Sequence, residues 1–220
     1  MNKKIAVIGG TGKEGKGLAY RWAKGGHQVI IGSRLMEKAK SAVEEILTIL
    51  PDSNNLKADT NENAAKNSDI AVITVPYAAH REILSTLHEV LANKIIIDVT
   101  VPLMPPRVTK VHIPASGSAA QEAREILGDE CRIASAFHNI SYDLLIKDEP
   151  ISCDVLVCGT DEATRLIALE LVQDAGLKGW DAGPLENSVV AESLTSILIH
   201  INKKYKAHNA GIKITGAKNY

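Results

Sequence analysis

A doubly wound α/β fold, built on a mostly parallel sheet with a small C-terminal helical extension, is predicted by three observations. Short apolar runs alternate with amphipathic helical runs along most of the chain. The apolar runs over 69–75 and 94–99 are continuous rather than alternating, as strands buried on both faces must be. A complete G-x-G-x-x-G, Gly10-Thr11-Gly12-Lys13-Glu14-Gly15, stands between the first strand and the first helix.

Each element has its own signal. The first strand reads Lys4 to Gly9, and the helix beyond the glycines runs from about Glu14 to Lys24. The second strand, Gln28 to Gly32, ends in Ser33 and Arg34. Ala39, Val43, Ile46, Leu47 and Leu50 recur at helical spacing and predict a helix from Glu37 to Leu50, stopped by Pro51. Leu56-Lys57-Ala58 reads as a short strand, and Asn61 to Lys66 as a short helix capped by Thr60 or Asn61. The strand from Asp69 to Val75 stops at Pro76; a helix from Ala78 to Leu91 and a strand from Lys94 to Val99 follow. Pro102, Pro105, Pro106 and Pro114 turn residues 100–117 into a long loop, a feature often functional in compact domains. Next come a helix from Ser118 to Leu127 and strands from Arg132 to Phe137 and Asp154 to Cys158. A helix from Glu162 to Gln173 ends in Asp174-Ala175-Gly176 before a strand from Leu177 to Trp180. A last helix, Leu185 to Ile201, is apolar along one face. Residues 1–183 are expected to form a Rossmann-type dinucleotide-binding domain, with residues 184–220 folded onto it as one unit.

Composition narrows the function. With 220 residues, 45% of them hydrophobic, the chain can build one large core. A net charge of −1 gives no basis for binding nucleic acid or an acidic membrane surface. No apolar run approaches the roughly 18 residues of a membrane span, and the N-terminus carries no signal-peptide pattern. Cys131, Cys153 and Cys158 form no C-x-x-C; Cys131 and Cys153 are expected in strands, as buried thiols of a reducing cytoplasm. The histidines are scattered without metal-ligand spacing, so no metal is expected.

The glycine loop is suited to a dinucleotide. Its glycines serve a tight turn, close approach to a pyrophosphate, and helix-on-strand packing, while the helix N-terminus offers free N–H groups. An NAD site usually ends its second strand with a carboxylate toward the ribose 2′-hydroxyl. Here Ser33 and Arg34 stand at that place and Lys38 lies one helical turn on, which points to a 2′-phosphate and hence NADP(H). Ligands of open α/β sheets sit outside the carboxyl ends of the strands. That adds Thr74, Val75 and Pro76 from the fourth strand and Val101 from the fifth to the cofactor set of Gly10, Thr11, Gly12, Lys13, Glu14, Gly15, Ser33, Arg34 and Lys38. His138, at the end of the sixth strand, is the one ionisable group this ordering brings to the nicotinamide, to hydrogen-bond a substrate or donate a proton. Asp98 and Asp143 are weaker candidates, and the tail lysines Lys203, Lys204, Lys206, Lys213 and Lys218 are a solvated surface or a steering patch for a polyanion.

Several segments together resemble a known family. Ile8-Gly9-Gly10-Thr11-Gly12, Gly15-Lys16-Gly17-Leu18-Ala19, Gly32-Ser33-Arg34, Asp69-Ile70-Ala71-Val72, Asp181-Ala182-Gly183-Pro184-Leu185 and Glu192-Ser193-Leu194-Thr195 look like the coenzyme F420-dependent NADP oxidoreductases. The resemblance implies hydride exchange between NADP(H) and the deazaflavin F420 in a cytoplasmic homodimer. It also implies that Thr11, Gly12, Ser33, Arg34 and Lys38 hold NADP, with Val75, Pro76, Val101 and His138 near the reacting rings. The chain departs from the family pattern where a Pro-Ala pair becomes Ser141-Tyr142, and where Ala210 replaces a larger apolar residue. A bulky Tyr142 narrows the deazaflavin pocket. Two alternatives stand beside this reading: an NADPH-dependent reductase of another small acceptor (a flavin, quinone, carbonyl or imine), and a non-catalytic NADP-binding regulatory protein.

Overall fold

The computed structural model describes residues 2–217, so Lys218 of the basic tail lies outside the described residues. Among the described residues eight strands form one sheet: β1 (Lys4–Ile8), β2 (Gln28–Ser33), β3 (Leu56–Thr60), β4 (Ile70–Ile73), β5 (Ile95–Asp98), β6 (Arg132–Ser135), β7 (Asp154–Gly159) and β8 (Lys178–Pro184). Their order is β3-β2-β1-β4-β5-β6-β7-β8. Neighbours are parallel except β6 and β7, which run antiparallel. The order reverses direction between β1 and β4, and that switch point is where open α/β sheets hold ligands.

The α-helices of the described residues are α1 (Lys13–Lys24), α2 (Met36–Leu47), α3 (Asn61–Lys66), α4 (Tyr77–Leu91), α5 (Ala119–Leu127), α6 (Tyr142–Leu145), α7 (Glu162–Asp174) and α8 (Ser188–Tyr205). The continuous apolar strands follow directly. Along β4, Ile70 and Val72 enter the core under α1, α2 and α7, while Ala71 and Ile73 enter the opposite core under α3, α4 and α5. Side chains alternate across a strand, so a strand between two helical layers must be apolar at every position.

Some boundaries differ from the sequence expectation. Helix α2 stops at Leu47; the amides of Ile49 and Leu50 both turn back to the carbonyl of Ile46, because a residue preceding proline is pushed out of helical backbone. Strand β8 continues to Pro184, which an edge strand tolerates. A single 3-10 turn, Leu185–Asn187, precedes α8, which ends at Lys206 in left-handed backbone with φ 53°. Cys131 and Cys153 are not strand residues: each lies just before its strand, where Cys131 donates its thiol to the carbonyl of Leu127 and Cys153 packs against Asn139 and Asp154. All three thiols are buried and free.

Candidate functional site

The glycine loop joins β1 to α1 at the switch point. Gly9 has φ +69°, a left-handed conformation that suits glycine, and its amide donates to Asn61 Oδ1 at 3.1 Å. Gly12 caps α1 without a side-chain hydrogen bond, so the first N–H groups of the helix keep their capacity for an anion. A Cβ on Gly12 would meet nothing within 4 Å, whereas one on Gly15 would come 2.7 Å from the Gly10 Cα. Gly12 thus faces open space at the helix end, and Gly15 seats the helix on the loop. The arrangement fits a pyrophosphate.

On one side of the loop lies a cleft of about 400 Å³ between the ends of β2 and β4. Thr11, Ser33, Arg34 and Lys38 line it, with Val75 and Pro76 as its apolar wall. Ser33 Oγ accepts from the Leu35 amide at 3.3 Å and shapes the turn carrying Arg34. Arg34 and Lys38 are exposed, and neither has an ion-pair partner among the described residues. Two unpartnered cations beside a hydroxyl whose proton is uncommitted suit a phosphate monoester. Asn61 also lines this cleft; sequence reading saw it only as a helix start, because its bond to the Gly9 amide joins positions far apart in the chain. Thr74 lines neither cavity. Its hydroxyl and amide both donate to the Ile8 carbonyl at 3.0 Å, tying β4 to β1.

On the other side a cavity of about 520 Å³ opens beyond the ends of β5 and β6. Glu14, Val101 and His138 line its inner wall; Tyr142, Thr195 and Ala210 close the outer one. The backbone turns into it through Phe137, whose φ of 69° is rare for a bulky residue. The turn is held because the Phe137 ring is fully buried, edge-on to Trp22 with centroids 5.7 Å apart. His138 follows. Its carbonyl accepts from Thr195 Oγ1 at 2.7 Å, and its Nε2 lies 3.4 Å from Ser135 Oγ. Burial drives the imidazole down to about 4 against the opposing pull of the nearby Asp98 charge and backbone, so it is neutral at physiological pH.

His138 is not alone there, as the strand order had suggested. Glu14 opens into the same cavity, and its Oε1 is buried without a hydrogen-bond partner. Burial pushes this carboxyl up to about 8, although the first turn of a helix favours an anion by up to ~1 kcal/mol. Lys13 turns the other way: its ammonium donates to the Tyr142 hydroxyl at 2.9 Å and stands 4.4 Å from that ring's centroid. Ser141 donates to Asn209 Oδ1 at 2.6 Å and Ala210 to Asn202 Oδ1 at 3.0 Å, so the segment after α8 forms part of the wall.

The two aspartates part company. Asp143 is exposed at the cavity rim. Asp98 is fully buried with Oδ2 2.7 Å from His80 Nε2 and Oδ1 accepting from the Thr100 amide at 2.9 Å. The other imidazole nitrogen faces Glu122 at 3.3 Å, and Glu122 accepts from the Tyr77 hydroxyl at 3.0 Å. Burial opposes a charged His80, but Asp98 and Glu122 outweigh it and raise the imidazole to about 9. Burial likewise works against the Asp98 anion, and the imidazolium still holds it below its ordinary range. This is a structural ion cluster beneath the site. The Glu-Ser-Leu-Thr segment also has a physical meaning: Glu192 accepts from the Ala119 and Ala120 amides at 2.7 and 3.2 Å, docking α8 on the N-terminus of α5, while Thr195 holds His138.

A phosphate-ready glycine loop at the switch point of a parallel sheet, flanked by two cavities, defines a Rossmann-type dinucleotide-binding protein. Residues 4–102 match the family described as NADP oxidoreductase, coenzyme F420-dependent. The chain is 38% identical over 221 residues to the F420-dependent NADP reductase of Methanocaldococcus jannaschii, covering 96% of this chain and 98% of that one. It is 40% identical over 219 residues to the protein of that name from Methanothermobacter marburgensis, with the same coverage of 96% and 98%. A solved structure of an Arthrobacter sp. FB24 protein superposes with a TM-score of 0.81 at 25% identity, over 97% of this chain and all of that one. The chain belongs to the family of coenzyme F420-dependent NADP oxidoreductases.

Proposed function

We propose that the protein transfers hydride between NADP(H) and coenzyme F420. The observation that carries this reading is the pair of cavities on either side of one glycine loop. The cleft with Ser33, Arg34 and Lys38 takes the 2′-phosphate end of NADP, Gly12 and the α1 N-terminus take the pyrophosphate, and the cavity of His138 takes the nicotinamide and the acceptor. F420 supplies a ring system that accepts hydride at carbon. The chain supplies positioning, which dominates the rate of such a transfer. Val101 and the Tyr142 ring bound the space in which two flat rings would stack, with the neutral His138 in its wall. Cytoplasmic location and a homodimer belong to the same reading. The exposed apolar residues Val190, Ile197 and Tyr205 on α8 support self-association. The same reading divides the chain into an NADP-binding body over 1–183 and an extension over 184–220. Among the described residues no helix is long and apolar enough to cross a membrane.

The test is NADPH oxidation by the purified protein with F420, FMN, FAD and a quinone offered in parallel. Turnover with F420 is expected. Tight NADPH binding with turnover only on another acceptor would replace F420 in this reading, and no turnover at all would leave a binding protein.

A further inference from the structure

Glu14 is chemically out of place in a phosphate-binding loop. An anion there would repel a pyrophosphate, yet the half-buried side chain lines the cavity that also holds His138, and its Oε1 is buried without a partner among the described residues. The other titratable groups facing that cavity are His138 from the end of β6, Tyr142 and Asp143 from α6, and His208 from the segment after α8. Lys13, its neighbour on α1, is committed to Tyr142. No cation therefore neutralises this carboxyl, and its ionisation is left to respond to whatever charge the cavity receives.

We infer that Glu14 is a redox-linked proton site: it keeps its proton beside a reduced nicotinamide and releases it when the nicotinamide becomes cationic. The inference rests on the NADP reading above. It follows from Coulomb's law in a cavity of low effective dielectric, where a new positive charge favours a nearby carboxylate far more than it does in water. Reduced nicotinamide is neutral and leaves only the pyrophosphate, whose charge favours the protonated acid. The balance of the reaction needs one proton that such a group can supply. Hydride carries two electrons and one proton from NADPH to the acceptor, and a neutral doubly reduced acceptor requires one further proton. The Glu14 O–H bond breaks to supply it, the nicotinamide ends cationic, and the carboxylate ends anionic, so the cavity's net charge is unchanged by the reaction. In reverse, the carboxylate takes that proton back. Burial, which holds the carboxyl near 8, keeps it mostly protonated at neutral pH and thus loaded for the forward direction.

The test is calorimetric titration of the wild-type protein and Glu14→Gln with NADP⁺ and NADPH, in buffers of different ionisation enthalpy. Wild-type protein is expected to release a proton on binding NADP⁺ at neutral pH and none on binding NADPH. Its preference for NADP⁺ should strengthen as pH rises toward 8, by at most about tenfold per pH unit for one linked proton. Glu14→Gln should bind both forms without proton release, and its preference should be flat over the same range. An infrared difference spectrum between NADP⁺- and NADPH-loaded wild-type protein gives a readout independent of the variant: a protonated-carboxyl C=O band should vanish in the oxidised complex. Equal proton release in both proteins, or no change in that band, would overturn the inference while leaving NADP binding intact. If neither cofactor binds wild-type protein, the functional reading fails first and this inference with it.

Discussion

Lys13 of the glycine loop and Tyr142 of α6 are joined by a 2.9 Å hydrogen bond and a 4.4 Å ammonium-to-ring approach. One contact thus couples the phosphate-binding turn to the outer wall of the acceptor cavity. The hydrogen bond to Tyr142 is the chief reason the Lys13 ammonium holds its proton more firmly than an ordinary lysine. Truncating the ring should open that wall. Tyr142→Ala is expected to raise kcat/KM for F420 while leaving the NADPH Kd within about twofold, since no 2′-phosphate contact is touched. Steady-state kinetics with F420 varied at saturating NADPH decides it; unchanged or lower kcat/KM would mean that the ring supports the acceptor instead of obstructing it.

Arg34 and Lys38 stand exposed at the end of β2 without ion-pair partners among the described residues. A charge-assisted phosphate contact contributes roughly 1.5–3 kcal/mol, or about ten- to a hundredfold in Kd. Arg34→Ala should weaken NADPH by that factor and NADH hardly at all. Fluorescence titration with both cofactors is the check, and an equal loss for the two would remove the 2′-phosphate assignment.

The buried His80 imidazole is raised by Asp98 and Glu122 to about 9, above the ~6.5 of an exposed histidine. A folded-state value above the unfolded one contributes stability that is complete below about 6.5 and lost as pH rises through about 9. Urea unfolding between pH 6 and 10 should therefore show falling stability on the alkaline side. His80→Ala should flatten this slope and cost about 3–5 kcal/mol, because it strands the fully buried Asp98 carboxylate. A slope unchanged in the variant would assign the alkaline loss to other groups.

Thr195 fixes the carbonyl of His138, a residue of the cavity wall. Thr195→Val keeps the shape and removes the donor, so a loss of about 1 kcal/mol in stability is expected together with a lower kcat. Thr195→Ser should restore both. Thermal melts and single-turnover rates measure the two effects separately; a stability loss with normal turnover would make the bond structural only.

Much of this was legible in the sequence because it is local. The glycine spacing, the missing carboxylate at Ser33 and Arg34, and the unbroken apolar strands each follow from neighbouring residues. The Asn61 bond to Gly9, the burial of His80 between Asp98 and Glu122, and the turn of Glu14 into the cavity depend on contacts between distant segments, which no short pattern encodes. Strand direction is equally silent: Asp154 to Cys158 reads as a strand from its composition, but nothing in those residues says that it runs antiparallel to β6. Helix α6, with only 4 residues, is too short to show a period.

The segment after α8 is held at the sheet by Asp154, whose amide donates to the Ile212 carbonyl at 2.9 Å and whose Oδ2 accepts from the Ile214 amide at 2.8 Å. Its stretch through Asn209 and Ala210 forms cavity wall without taking part in the glycine loop or the Arg34 cleft. The two ends of the site are therefore built from separable stretches of chain. An engineer seeking a different acceptor would start from the rim over 207–210, because new residues there reshape the cavity without touching the Arg34 cleft.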